Sequence, residues 1–355
     1  MPKHLLHVVG ARPNFPKLAP VHRACRSVGF RQQIVHTGQH YDDALSGSFF
    51  KDLDIPSPDI NLEVGSASHA VQTARIMEGF EQVLMAERPD CVVVYGDVNS
   101  TLAAAVVASK MGIRLAHVEA GLRSFDRAMP EEINRIVTDR LADLLLTPSR
   151  GADEQLIREG ESADRIIFVG NVMIDSLMHA LPRASASGYA ASLGLGDDHL
   201  LVTLHRPSNV DDQPRLCALL DALEEVATER TVIFPIHPRT RQRLVALGRA
   251  TTRIQLIDPV GYHEMLDLER TAFAAVTDSG GVQEETTALG VPCFTVRDNT
   301  ERPATITDGT NQLVHDPALI PSLVRSAVRA ATPRRPEGWD GQAGERVAAA
   351  LVSRC

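Results

Sequence analysis

Short, continuously apolar runs recur along the chain, each followed by a longer stretch in which apolar residues return every three to four positions. Runs such as CVVVY (91–95) and HLLVTL (199–204) lack the in–out alternation of a half-exposed strand. They read as parallel strands covered on both faces. On this pattern strands are expected at 4–9, 33–37, 91–95, 114–117 and 144–147, then at 166–169, 200–203, 232–235, 254–256, 274–277 and 291–295. Helical periodicity lies between them, at 71–86, 100–110 and 132–143. Strand and helix alternating over the whole length predict an α/β, doubly wound chain.

Two interruptions organise this pattern. Small and turn-forming residues replace the periodicity around 182–198, and ATPRRPEGWDGQAG (331–344) leaves a short final helix at 345–353. A chain of 355 residues is too long for one ordinary core. Two Rossmann-like domains are expected, 1–175 and 176–340, the first completed by the C-terminal helix 345–355. No internal repeat of 20–50 residues is found.

Composition sharpens this by exclusion. Apolar residues make up 44% and charged residues 23%, the balance of a soluble globular protein. A net charge of -9 argues against nucleic acid as a partner, yet a local cationic pocket for a small phosphorylated ligand is compatible with it. The five cysteines are scattered and form no C-x-x-C pair, so neither a disulfide framework nor a metal site is expected and a reducing, cytoplasmic setting fits. The apolar run in MPKHLLHVVGARPN is too short for a membrane span or a signal core.

Candidate chemistry gathers where strands end and helices begin, the ligand-binding edge of open α/β sheets. The first loop, GARPNFPK, lacks G-x-G-x-x-G, which argues against a dinucleotide site, but Arg12 and Lys17 offer phosphate-binding cations. YGDVNST carries Asp97, whose bland reading is a helix cap. Glu119 follows a strand that reads as buried, an expensive place for an unused carboxylate. Glu131 leads the next helix, where the macrodipole alone would explain it. If their strands neighbour each other, Asp97, Glu119 and Glu131 meet at one rim, where unlike environments divide acid from base. In the second half, His205 and His237 close strands beside arginines. TDSGGVQEE ends a strand in Ser279, Gly280 and Gly281 and starts a helix, a phosphate cradle of bare N–H groups, with Glu285 about one turn inside.

Nine segments, GARPNFPKLAP, HTGQHYD, YGDVNST, HVEAGLR, MPEEINR, VGNVMID, LHRPSNV, TDSGGVQEE and RDNTERP, occur in this order between residues 10 and 303. Together they resemble the non-hydrolysing UDP-N-acetylglucosamine 2-epimerases. The resemblance implies two Rossmann-like domains of GT-B type with a ligand cleft between them, a homodimer, and no cofactor or metal. It places Arg12, Lys17 and His205 on the diphosphate side of a UDP-sugar substrate. Ser279, Gly280 and Gly281 match the phosphate cradle, Glu285 the ribose carboxylate and Arg302 a further ligand contact. Val260 and Met265 match the uracil pocket. Asp97, Glu119 and Glu131, with His205, match the acid–base groups for reversible C2 epimerisation through UDP elimination to 2-acetamidoglucal.

Gln39 and His237 match remnants of an allosteric substrate site found in many bacterial members. Asp42 replaces a glutamine of those members, 65–74 lacks their arginine, and Asn14 stands where others have glutamate. Alternatives are a hydrolysing 2-epimerase releasing UDP and N-acetylmannosamine, an epimerase of a modified UDP-2-acetamido sugar, a GT-B glycosyltransferase, and a nucleotide-sugar binding protein.

Overall fold

The computed structural model describes residues 2–38, 50–249, 251–330 and 333–355, apart from the side chain of Arg239. The chain divides into two compact units, Met1–Met178 with Glu337–Cys355, and His179–Pro336.

In the first unit β1 (His4–Val9), β2 (Arg31–His36), β3 (Ile60–Asn61), β4 (Cys91–Tyr95), β5 (Arg114–Val118), β6 (Leu144–Thr147) and β7 (Ile166–Phe168) form one sheet. Its order is β3-β2-β1-β4-β5-β6-β7, every pair parallel. The connecting helices include α1 (Phe15–Ser27), α2 (His69–Glu87), α3 (Asn99–Lys110), α4 (Pro130–Leu141), α5 (Arg150–Arg158) and α6 (Val172–Ser187). The helix Ala343–Arg354 packs on α1 and completes this unit. Asp175 holds its start, accepting from the backbone N–H groups of Ala343 and Gly344.

The second unit repeats the scheme with β8 (Leu200–Thr203), β9 (Val232–Pro235), β10 (Gln255–Ile257), β11 (Ala274–Thr277), β12 (Cys293–Thr295) and β13 (Asn311–Leu313). The order is β10-β9-β8-β11-β12-β13, again all parallel. Its helices include α7 (Gln213–Val226), α8 (Pro238–Ala246), α9 (Tyr262–Thr271), α10 (Gly280–Leu289) and α11 (Ile320–Ser326).

The unbroken apolar runs now have a physical reason. Leu200, Val202, Val232, Phe234 and Val276 face one core with α7 and α11. Their neighbours Leu201, Ile233 and Ala275 face a second core with Leu268 of α9 and Val282 of α10. Both faces are covered, so every position is apolar. In both sheets the chain starts in the middle, steps outward, then crosses back, which opens a crevice at the carboxyl ends of β1 and β4 and of β8 and β11.

Some boundaries differ from the sequence pattern. β12 begins at Cys293 instead of 291, because Pro292 has no N–H for the ladder and offers only its carbonyl, to Ala275. α6 runs through Pro182 to Ser187, so the first interruption starts later than the proline suggests. β3 and β13 pass unmarked by periodicity, as short polar segments at sheet edges. Among the described residues no helix is long and apolar enough to cross a membrane.

Candidate active site

In the first unit the register fixes which loops meet. Tyr95 at the end of β4 pairs with Val118 at the end of β5, so Asp97 and Glu119 leave the sheet from neighbouring strands. Glu119 is buried, with its backbone in the left-handed region at φ 76. A non-glycine residue held there stores strain, a feature that clusters at functional sites. Its Oε2 lies 2.8 Å from the Lys17 ammonium, and both side chains are about as deeply buried. Lys17, expected on the diphosphate side, thus pairs with this carboxylate. Gly96 is required beside them: it adopts φ +62, and a Cβ there would meet Lys17 Nζ at 2.5 Å.

Asp97 is held from α4. Arg135 reaches its Oδ2 at 2.5 Å, and Asn134 donates to its backbone carbonyl at 2.8 Å. Glu131 is half-buried at the first turn of α4, one turn before Arg135. Its neighbour Glu132 points inward, accepting from Ser124 N, Ser124 Oγ and Phe125 N, and pairing with Arg135 at 2.7 Å. Burial would raise the Glu132 pKa, but these hydrogen bonds and the guanidinium leave it lowered. Behind them His117 bridges Asp139 and the Gly96 carbonyl at 2.6 and 2.8 Å. Asp139 also pairs with Arg123 at 2.7 Å. HVEAGLR and MPEEINR therefore both carry buried charged networks, of which sequence reasoning had singled out only Glu119. The matched heptads contained the signal: each carries charged residues on a buried face.

Arg12 is exposed on the turn after β1. Asn14 has a structural task there: its Oδ1 accepts from Gly10 N at 3.0 Å and its amide donates to Tyr95 O at 2.9 Å, tying the β1 loop to β4.

The second unit puts different chemistry at the equivalent crevice of its own sheet. Asp278, fully buried at the end of β11, accepts from the backbone N–H groups of His205 and Arg206 and from the Asn209 amide. Its Oδ1 also lies 3.1 Å from His205 Nδ1. One carboxylate thus shapes the loop after β8 and orients its histidine. Desolvation, helped by Arg206, His237 and Arg297, holds the His205 pKa below its ordinary value against the pull of Asp278. His237 itself is exposed beyond β9.

Helix α10 begins just after Ser279, whose side chain makes no capping hydrogen bond. Gly280 and Gly281 are half-buried beside it. Arg302 closes over this end, bound to Glu301 at 2.7 Å and Glu284 at 3.1 Å, while Arg297 pairs with Glu301 at 2.7 Å. Uncapped N–H groups under arginines make an anion receptor. Glu285 lies one turn inside, accepting from the Tyr262 hydroxyl at 3.0 Å. Val260 and Met265 are half-buried against the core that α9 and α10 share. Asp278, Arg206, Arg297 and Glu301 escaped the sequence reading; Arg297 and Glu301, four residues apart, were its available hint. Gln39 and Asp42 lie outside the described residues. Among those described, no group of His, Cys, Asp and Glu gathers as metal ligands.

Known proteins match this chain along nearly its whole length. A family model described as UDP-N-acetylglucosamine 2-epimerase matches residues 23–352. The UDP-N-acetylglucosamine 2-epimerase of Methanocaldococcus jannaschii is 42% identical over 358 residues, covering 97% of this chain and 98% of its own. The UDP-2,3-diacetamido-2,3-dideoxy-D-glucuronate 2-epimerase of Pseudomonas aeruginosa is 44% identical over 314 residues, covering 87% and 88%. The crystal structure of the Methanocaldococcus jannaschii UDP-GlcNAc 2-epimerase in complex with UDP-GlcNAc and UDP matches with a TM-score of 0.90 at 41% identity, covering 99% of each chain. The chain belongs to the UDP-N-acetylglucosamine 2-epimerase family.

Proposed function

We propose that this enzyme interconverts UDP-N-acetylglucosamine and UDP-N-acetylmannosamine in the cytoplasm, as a homodimer. The reading rests most on one observation: Glu119 is buried, backbone-strained and fixed by Lys17 at the carboxyl end of β5, beside Asp97. A group so held is preorganised for proton transfer.

In this reading the second unit takes the nucleotide. The start of α10 (Ser279, Gly280, Gly281) and Arg302 bind phosphate, Glu285 the ribose diol, and the backbone around Val260 and Met265 the uracil. The first unit supplies Asp97, Glu119 and Glu131 for the C2 proton. A carboxylate removes that proton as the C1–O bond to UDP breaks, its electrons leaving with the diphosphate. The C2–H pair forms the C1–C2 double bond of 2-acetamidoglucal. Arg12 and His205 stabilise the departing diphosphate. Protonation at C2 from the opposite face and return of UDP to C1 complete the inversion. Lys17 is reassigned from the diphosphate to the positioning of Glu119.

Proton NMR with UDP-N-acetylglucosamine in D2O tests this. UDP-N-acetylmannosamine with deuterium at C2 is expected; release of free N-acetylmannosamine and UDP would move the enzyme to the hydrolysing type. A second reading, epimerisation of a more modified UDP-2-acetamido sugar, draws on the Pseudomonas aeruginosa relative at 44% identity. Unchanged, unexchanged UDP-N-acetylglucosamine would favour it.

A further inference from the structure

Behind the carboxylate assigned to the ribose lies a second one with no assigned task. Glu269, on α9, is fully buried, and neither of its carboxyl oxygens meets a donor. The group facing it is Glu285 of α10, itself buried and accepting from the Tyr262 hydroxyl at 3.0 Å. The other titratable groups facing the pair are Glu284 on α10 and Cys293 on β12, and no cation is among the groups acting on Glu269. Two carboxyl groups can meet in this way only with a proton between them, because each is otherwise purely an acceptor. The Tyr262 proton cannot serve both, since its hydroxyl is committed to Glu285.

We propose that Glu269 is a positioning residue that shares a proton with Glu285 across neutral pH and so presents Glu285 as an oriented acceptor to the ribose diol of the nucleotide, a role that rests on the ribose reading of Glu285 given above. Burial, then the Glu285 charge, pushes the Glu269 carboxyl well above the usual range. Burial likewise raises Glu285, to about 7, with Glu284 adding and the hydrogen bonds from Tyr262 and Glu269 opposing. Both folded values exceed the unfolded value of 4.5, so the folded state binds more protons than the unfolded one. The pair's contribution to stability is full below that value and declines as pH rises through the folded values. Nucleotide binding follows the same proton: once it is lost, two like charges face each other and Glu285 is no longer aimed.

Glu269→Gln keeps a donor on Glu285 without a titratable proton, and Glu269→Leu removes the donor. The measurements are UDP calorimetry and thermal unfolding from about pH 7, where the pair is left with one proton, to about pH 9, as that last proton is lost. Wild type is expected to lose UDP affinity several-fold as pH rises, and Glu269→Gln to bind like wild type at the lower pH without that loss. Its melting temperature is expected to exceed that of wild type by a margin that widens with pH. Glu269→Leu should bind UDP about tenfold more weakly, and 2′,3′-dideoxy-UDP should erase the difference between variants. Wild-type affinity in Glu269→Leu, or an unaltered pH dependence in Glu269→Gln, would overturn the shared proton alone. Failure of wild type to bind UDP would overturn the ribose reading with it. If Glu269→Leu does not fold, Glu269→Gln carries the test by its pH dependence.

Discussion

The two units share a strand order and differ in what they place at the crevice it creates. At the ends of β4 and β5, carboxylates are the proposed working groups and cations hold them: Lys17 on Glu119, Arg135 on Asp97. At the ends of β8 and β11 the roles reverse, and carboxylates hold the cations: Glu301 on Arg297 and Arg302, Asp278 on the His205 loop. The first arrangement suits proton transfer, which needs bases fixed in place. The second suits an anion, which needs bare N–H groups and aimed positive charge. On the proposed reading one topology carries two chemistries, and the loops decide which.

The largest effect is expected where that contrast is broken at Glu119. Glu119→Gln should lower kcat and C2 deuterium exchange together by about 10^2- to 10^4-fold, with UDP affinity unchanged. Removing the cation instead is a different experiment. Lys17→Met removes the cation from a buried carboxylate and should cost about 3–5 kcal/mol in urea unfolding. The double variant should recover part of that loss. Undiminished exchange in Glu119→Gln would shift the chemistry to Asp97 and Glu131.

What the sequence made legible follows from the range of the forces involved. The apolar runs predict the long strands because burial on both faces is a local constraint, visible residue by residue. β3 and β13 gave no such signal, being short polar edges such as Asn311–Leu313. Within the site, Glu119 stood out because a carboxylate past a buried strand is costly. Lys17 stood out as a phosphate-binding cation, but its pairing with Glu119 did not, because it joins α1 to the end of β5 across more than a hundred residues. Asp278 is the sharper lesson. Beside Ser-Gly-Gly it reads as part of a turn, yet its acceptors serve a loop seventy residues earlier. Glu269 was invisible for the same reason: only the fold brings α9 against α10.

Asp278 gives the intermediate test, since it should move the second unit's chemistry without touching the first. Asp278→Asn replaces one of the two acceptor oxygens with an amide donor and removes the charge, so the donors of the His205 loop and the His205 ring lose part of what holds them. UDP affinity should weaken about tenfold, or ~1.4 kcal/mol, by calorimetry. Exchange at saturating substrate should fall far less than in Glu119→Gln. An equal loss of both would mean that His205 takes part in the proton transfer itself.

The smallest expected effect isolates the start of α10. A Cβ on Gly280 would lie 3.0 Å from Glu301 Oε1 and 3.1 Å from Arg302 Nη1, contacts that flexible side-chain ends can relieve. Gly280→Ala should therefore leave the melting temperature near wild type, because alanine also suits the first position of a helix better than glycine does. The methyl group would still occupy space beside the uncapped N–H groups and shift Arg302. UDP affinity should fall about threefold, close to ~0.7 kcal/mol, with kcat unchanged. An unaltered affinity would mean that the arginines alone hold the diphosphate. The contrast between the units would then be one of side chains only, with the helix terminus taking no part.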